Sequence, residues 1–168
     1  MPKIIENLES RLLEEAKKQI EEAGYGAMTI RSVARECGVG VGTVYNYFSS
    51  KEELVATHLL ADWSLCVTII NAVSRYSDFP RPVARCIYDQ LISFAERHTA
   101  IFRDEAAASI FSGSFGKYHC VLRDQLAQPL RKFCSSDFTA EFLAEALLTW
   151  TMAGKPFDEI YGMIAKLL

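Results

Sequence analysis

The sequence predicts an all-α protein with an N-terminal three-helix helix-turn-helix domain and a C-terminal helical domain, about nine helices in total. Apolar residues recur at spacings of three and four through most of the 168 residues. No stretch has the alternating pattern that is typical of a β-strand. Glycine and proline clusters separate the periodic stretches. We expect the two domains to comprise residues 1–50 and 51–168.

The first two helices are predicted from an apolar stripe and a capping residue. A stripe over residues 5–23 consists of Leu8, Leu12, Ala16, Ile20 and Ala23. Thr29 is a natural N-cap, because its hydroxyl can accept a hydrogen bond from an unpaired N–H of the next turn. The second helix then buries Ile30, Val33, Ala34 and Cys37. Gly38 follows, where a left-handed conformation is expected and only glycine adopts it cheaply.

The third helix has one apolar and one polar side. Val41, Val44, Tyr45 and Phe48 lie at helical spacing and are predicted to pack inward. Thr43, Asn46 and Tyr47 then face outward, and Lys51 adds a positive charge nearby. Two short helices joined by a glycine turn form a helix-turn-helix. A polar outer edge with flanking donors is what a DNA-reading helix requires.

The stretch 29–54 resembles the DNA-binding domain of TetR-family bacterial transcriptional regulators. The matching residues are Thr29, Ile30, Val33, Ala34, Gly38, Val39, Gly42, Thr43, Tyr45, Tyr47, Phe48, Lys51, Glu52 and Leu54. Two positions depart from the family pattern: Gly40 replaces the usual Ser or Thr cap, and Val41 replaces a polar or basic residue. Both lie at the start of the recognition helix, so they affect which operator sequence is recognised more than whether DNA is bound.

The resemblance implies binding to double-stranded DNA, at a palindromic operator, by a homodimer that responds to a small apolar or amphipathic effector. We expect Tyr47 and Lys51 to contact phosphates, with Thr29 and Thr43 as neutral donors. Arg31 matches the family position that reaches a base edge, where arginine prefers guanine. Asn46 is expected to touch base or backbone. Val41 offers a methyl surface that suits a thymine methyl group.

The remaining helices are predicted in order along the chain. Ser50 and Glu53 form a capping box that begins a long fourth helix, ending near residue 76. Two prolines within residues 77–82 separate it from a fifth helix over 83–96. A sixth is expected over 100–111, a glycine-rich joint at 112–116, and a seventh over 115–133. The eighth begins near Asp137, which is a good N-cap, and Pro156 opens the ninth.

The middle of the chain is rich in aromatic residues. Two interpretations remain open: these residues form an ordinary core, or they line a ligand cavity of the kind that the family resemblance implies. The candidate pocket residues are Trp63, Cys66, Ile70, Gln90, Phe94, His98, Phe102, Phe111, Tyr118 and His119.

The eighth helix is apolar nearly all round and must therefore be covered on more than one side. The resemblance implies that the last two helices dimerise through a four-helix bundle, and the alternative is a monomer core. The candidate interface residues are Phe142, Leu143, Leu147, Trp150, Ile160, Tyr161 and Ile164.

Composition and motifs exclude several classes of function. The net charge is −3, but residues 27–51 carry Arg31, Arg35 and Lys51 against Glu36 alone. The five cysteines have no zinc-site spacing and are expected to be buried free thiols. No catalytic or nucleotide-binding motif is present, and the three histidines stand apart. We therefore expect no enzyme activity, metal or cofactor.

The cellular location of the protein is predicted from its first twelve residues and from its most apolar run. The first twelve residues lack the apolar core of a signal peptide, which favours the cytoplasm. The most apolar run, 54–73, contains His58, Asp62 and Asn71. We therefore interpret it as a helix of the core and expect no membrane span.

Two functions of different classes follow from these patterns. The favoured one is a ligand-responsive DNA-binding regulator, a repressor released from its operator by a small molecule. The alternative is a helical protein–protein interaction module that has lost DNA binding, which Gly40 and Val41 allow. A salt-dependent affinity for random duplex DNA distinguishes the two.

Overall fold

The structure is a computed structural model that describes residues 7–105, 107 and 119–168. In these ranges the chain is helical, without a β-strand, which confirms the predicted all-α class. The helices are α1 (Leu8–Ala23), α2 (Ile30–Glu36), α3 (Val41–Tyr45), α4 (Lys51–Tyr76), α5 (Pro80–Arg97), α6 (Thr99–Phe102), α7 (residues 119–127), a 3-10 helix (Gln128–Phe133), α8 (Asp137–Met152) and α9 (Phe157–Ile164). The expected joint at 112–116 and the candidate pocket residues Phe111 and Tyr118 lie outside the described residues.

The described chain divides into two compact units. The first contains residues 7–62, 98–105 and 107, and the second contains 63–97 and 119–168. Helix α4 contributes to both units, because the division falls after Asp62. The assignment of DNA binding to residues 1–50 and of ligand binding and dimerisation to 51–168 concerns function and remains a proposal.

The first unit is built around the predicted apolar stripes of α1, α2 and α3. Its core contains Leu12, Val33 and Val44, each with no exposed surface. The start of α4 adds Leu54 and Val55, which are equally buried. Residues 98–105 and 107 return to this unit and bring Ile101 and Ala107 into the same core. The helix-turn-helix is therefore supported by α4 and by this returning segment.

The second unit packs α5 and α9 against α8, together with the later turns of α4. Fully buried side chains include Ile87 of α5 and Leu143 and Leu147 of α8. The residues of α4 in this core are Trp63, Cys66 and Ile70.

Among the residues that the structure describes, one helix, α4, is long and apolar enough to cross a membrane by length and composition. This is weak evidence for a span, because the core helices of soluble proteins pass the same test. One side of α4 packs into the protein. On its exposed side, Leu65 and Ile69 are 63% and 46% exposed.

Several helix ends differ from the prediction. Helix α5 begins at Pro80, not at residue 83, because Pro80 and Pro82 lie in the first turn, where no intrahelical N–H is needed. The N-cap of α8 is Ser136, whose hydroxyl accepts from the N–H of Thr139, so Asp137 is already helical. At the start of α4, the Ser50 hydroxyl accepts from the Glu53 N–H as predicted.

The second half of the capping box at α4 is displaced by one residue. The Glu53 carboxylate accepts from the N–H of Ser49 at 2.6 Å and from the Ser49 hydroxyl, and not from the N–H of Ser50. These bonds lower the pKa of Glu53, and the Ser49 hydroxyl is the largest cause.

Candidate nucleic-acid interface

The N-terminus of α2 is fixed by the side chain of Thr29, as predicted. The Thr29 hydroxyl accepts from the Ser32 N–H at 3.0 Å, and the Ser32 hydroxyl accepts from the Thr29 N–H at 3.1 Å. The Ser32 hydroxyl also lies 2.5 Å from Oε1 of Gln19 in α1. These bonds attach the start of α2 to α1 and hold Arg31 at a defined place on the surface.

The turn between α2 and α3 depends on a left-handed residue and on a contact from α1. Gly38 has φ of 69°, which confirms the predicted role of glycine there. The Val39 N–H then donates to the Ala34 carbonyl at 3.0 Å. The Arg11 guanidinium donates to the Cys37 carbonyl at 3.1 Å. No sequence pattern indicates the contribution of Arg11, since it lies 26 residues from Cys37.

Helix α3 presents the predicted polar residues to solvent. Val44 and Phe48 are 0% and 2% exposed, whereas Asn46 and Tyr47 are exposed and Thr43 is half-buried. Val41 is also half-buried and packs on the core of the first unit, so only part of its methyl surface is accessible.

Tyr45 contradicts the predicted inward face. It is 52% exposed, because the α-helical part of this segment ends at Tyr45 and two side chains, Val44 and Phe48, already fill the inward side. Tyr45 therefore adds a second exposed aromatic ring beside Tyr47.

Lys51 already has a partner within the first unit. Its ammonium group donates to the Tyr25 carbonyl at 2.5 Å and lies 4.0 Å from the centroid of the Tyr25 ring. Burial is the main cause that lowers the pKa of Lys51. Burial, followed by the charge of Glu52, raises the pKa of Tyr25 to about 12. An ammonium group has three donors, so one bond to Tyr25 leaves donors for a second acceptor.

Arg31 differs from its neighbour Arg35 in having no partner. Arg35 pairs with Glu36 at 3.0 Å, whereas Arg31 is exposed and makes no hydrogen bond or ion pair with any residue that the structure describes. The seven predicted contact residues all belong to the first unit, on α2, on α3 and its flanks, and at the start of α4. We call them the outer surface: Thr29, Arg31, Val41, Thr43, Asn46, Tyr47 and Lys51.

The predicted pocket residues divide between the two units. Trp63, Cys66 and Ile70 are buried in the second core, and Phe94 packs edge-on to Trp63 at 5.3 Å. The Trp63 indole N–H donates to Gln125 at 2.7 Å. Gln90 and His119 are half-buried in the same unit.

Two of the pocket candidates do not belong to that aromatic core. His98 lies in the first unit, where it pairs with Asp62 at 2.8 Å. Phe102, in the same unit, is 49% exposed. The described candidates therefore do not all belong to one unit, and a ligand cavity lined by those of the second unit remains a proposal.

The predicted interface residues also divide into two classes. Leu143, Leu147, Ile160 and Ile164 are buried in the core of their own chain, because they face α5 and one another, and Tyr161 is half-buried. Phe142 and Trp150, in contrast, are 52% and 51% exposed. They line an apolar groove of about 530 Å³ along α8 and α9, which Met163 and Leu167 also line.

The prediction that the histidines stand apart is wrong. His98 contacts the His58 ring as well as Asp62, and His119 lies 2.9 Å from both carboxylate oxygens of Glu145. These partners are distant in sequence, so spacing could not reveal them. The described residues contain no group of three or more His, Cys, Asp or Glu that could hold a metal ion. The five thiols are free, as expected, but the expected burial holds for Cys37 and Cys66 alone, since Cys86 and Cys134 are half-buried and Cys120 is exposed.

Comparison with known proteins identifies the first unit. The family described as "Bacterial regulatory proteins, tetR family" matches residues 12–57, which include α2, α3 and the turn between them. The HTH-type transcriptional regulator HbdR of Aromatoleum sp. (strain CIB) is 30% identical over 83 residues, which are 49% of this chain and 32% of HbdR. The chain spans half or less of the length of the curated relatives it matches.

Solved structures share the fold over nearly the whole chain. SCO7518 from Streptomyces coelicolor A3(2) has a TM-score of 0.72 at 14% identity and covers 96% of this chain and 98% of its own. The superantigen PfiT has a TM-score of 0.64 at 17% identity, with 97% of each chain covered. At such low identities the likeness shows the fold alone. The family match therefore assigns residues 12–57 to the N-terminal helix-turn-helix domain of TetR-family bacterial regulatory proteins.

Proposed function

We propose that this protein is a dimeric cytoplasmic repressor that binds a palindromic double-stranded DNA operator and is released by a small apolar or amphipathic effector. One observation carries the proposal. Helix α3 and the turn that follows it bury Val44 and Phe48 and leave Asn46 and Tyr47 exposed beside Thr43. This arrangement supports a recognition helix, because side chains that are not needed for packing remain available for the major groove.

The outer surface supplies both classes of DNA contact. Arg31 has no partner within the described chain, so its guanidinium can donate to guanine O6 and N7 without breaking an ion pair. Tyr47 and Lys51 donate to phosphates, and Thr29 and Thr43 supplement them as neutral donors. Lys51 keeps its bond to the Tyr25 carbonyl and uses a remaining donor for phosphate. Asn46 reads a base edge or the backbone, and Val41 offers its accessible methyl group to thymine.

Dimerisation uses the exposed side of α8 and α9. Phe142 and Trp150 lie on a groove that Met163, itself 65% exposed, also lines. A surface of this kind on an isolated chain favours burial against a partner. A second copy related by two-fold symmetry covers the same residues on both chains. It also sets two recognition helices at a fixed separation, and half-sites one helical turn apart require about 34–36 Å.

The effector is proposed to bind in the second unit, beside Trp63 and Phe94. Their edge-on contact and the bond from Trp63 to Gln125 are the interactions that an apolar ligand with one polar group would replace. Helix α4 runs without a break from Lys51 to Tyr76, so a displacement of its later turns is carried to Lys51. Release requires that the effector bind the displaced state better, and coupling of about 1–3 kcal/mol is usual.

A helical interaction module that has lost DNA binding is the second candidate. Two observations favour it: Gly40 supplies no side-chain cap to α3, and Lys51 is already bound to Tyr25. A protein with the same fold, PfiT, is described as a superantigen. The TetR-family relatives are regulators and not enzymes, so both candidates are binding proteins.

Genome-wide capture of bound DNA, with and without a panel of small apolar compounds, tests the proposal. We expect a small number of enriched sequences that contain an inverted repeat, and loss of their enrichment with at least one compound. Capture of no DNA above background, together with no salt-dependent affinity for random duplex, would instead support the interaction module.

A further inference from the structure

A cluster of ionisable side chains lies in the first unit, apart from the outer surface. His98 is 4% exposed, and its Nε2 lies 2.8 Å from Oδ2 of Asp62. The ring of His58 meets the ring of His98 nearly edge-on, with the centroids 5.2 Å apart and an angle of 75° between the planes. We call His58, Asp62 and His98 the histidine cluster.

His58 is the unusual member of the histidine cluster. Its Nε2 atom is buried and has no hydrogen-bond partner among the described residues. A neutral imidazole can leave one ring nitrogen as an unpaired acceptor, whereas an imidazolium buried there would need a partner for an added N–H. Burial is the largest cause that lowers the pKa of His58; His98 and Lys17 lower it further, and Asp62 and Glu21 oppose the shift. The site therefore favours neutral His58.

The histidine cluster occupies a particular place in the chain. Asp62 is the last residue of α4 in the first unit, and His98 is the residue at which the chain returns to that unit. After His98, the returning segment places Ile101 in the core of the helix-turn-helix unit. It also places a carboxylate oxygen of Asp104 at 3.3 Å from the N–H of Gly26, in the loop between α1 and α2.

We propose that the histidine cluster is an acid-responsive device that holds residues 98–105 on the helix-turn-helix unit at neutral pH and loosens them in mild acid, weakening DNA binding. The effect on DNA rests on the proposed function, whereas the effect on the returning segment does not. Protonation of His58 would place a positive charge on a ring whose Nε2 is buried and within electrostatic reach of Lys17, while Asp62 is already engaged by His98.

The direction of the pH dependence follows from proton linkage. Because the folded state lowers the pKa of His58 from its ordinary 6.5, the unfolded or detached state binds the proton more tightly. The attachment is therefore complete above about pH 6.5 and is lost as the pH falls through the lower folded-state value. Each pKa unit between the attached and detached states of His58 corresponds to about a tenfold change in the attachment equilibrium.

The test compares His58→Gln and His58→Phe with the wild type at about pH 7.5 and about pH 5.5. Both variants remove the titrating group, and the phenyl ring can keep the edge-on contact if the amide disturbs packing. His119→Gln is the matched control, because it removes a histidine paired with a carboxylate in the second unit. The two readouts are backbone hydrogen exchange of residues 98–105 without DNA, and affinity for the captured operator.

We expect acid to reduce the protection of residues 98–105 in the wild type and in His119→Gln, and to leave both His58 variants protected. We also expect operator affinity to fall in acid for the first two proteins only. Added positive charge alone would strengthen attraction to phosphate, so a loss has the opposite sign to that general effect. Equal pH dependence of protection in the wild type and both His58 variants would overturn the inference. Acid-sensitive protection without operator binding at either pH would support the device and contradict the proposed function.

Discussion

Replacing Trp150 by Glu should separate the dimer without unfolding the chain. Trp150 lies on the groove of α8 and α9 and is 51% exposed. A tryptophan side chain can bury about 200 Å², so about 100 Å² remains for a partner to cover. At about 25 cal/mol per Å² this area contributes ~2.5 kcal/mol per protomer. A two-fold interface contains the Trp150 contact twice, so the substitution removes ~5 kcal/mol of binding free energy. This loss raises the dimer dissociation constant by between three and four powers of ten.

Sedimentation equilibrium over a range of concentrations measures this change. Leu65→Glu is the matched control, since Leu65 is 63% exposed on α4, outside the groove, and should leave the dimer constant unchanged. Leu147→Ala provides the opposite case: its side chain is fully buried within the chain, so it should lower the free energy of unfolding by about 2–5 kcal/mol. An unchanged dimer constant for Trp150→Glu would refute the proposed interface.

Two further predictions concern the outer surface, and a third concerns the N-cap of α3. Arg31→Ala should relax specificity at one base position, at a cost of about 1–3 kcal/mol, whereas Arg35→Ala should not; binding to an operator library measures both. Lys51→Ala should weaken binding to all sequences and lower the salt slope by about one unit, and an unchanged slope would rule out its phosphate contact. Gly40→Ser should stabilise the protein by a few tenths of a kcal/mol in denaturant titrations, because Gly40 has extended backbone and room for a Cβ; a loss of stability would contradict this.

Local rules predicted much of the helical architecture because they depend on neighbouring residues. Thr29 caps α2 and Gly38 adopts the left-handed conformation, as the sequence indicated. The predicted end of α4 at Tyr76 is also observed. Where boundaries were wrong, as at Pro80, the competing rule was equally local: proline is tolerated in the first turn of a helix.

The burial of individual side chains could not be predicted in the same way. Leu147 and Trp150 belong to one apolar helix, and the pattern gave no reason to assign one to the core and the other to the surface. That difference depends on α5 and α9, which cover Leu147. Tyr45 was misassigned because a short helix has room for few inward side chains.

Contacts between distant residues were missed for the same reason. Lys51 meets Tyr25 across 26 residues, and His58 meets His98 across 40. Neither pair has a sequence spacing that indicates a contact, and both depend on the way in which the helices pack.

Binding of the captured operator by the double variant Asn46→Ala, Tyr47→Phe tests the central claim most directly. Both side chains are exposed on the turn that follows α3 and make no hydrogen bond with the described residues, so the variant should fold with an unchanged melting temperature. Affinity should be measured against operator and random duplex over a range of salt concentrations. We expect the preference for operator to fall by about tenfold, since the lost base-edge contact of Asn46 costs about 1–3 kcal/mol. Loss of the Tyr47 phosphate contact should weaken binding to operator and random duplex alike. A correctly folded variant that binds operator as tightly and as selectively as the wild type would contradict the assignment of α3 as the DNA-reading helix.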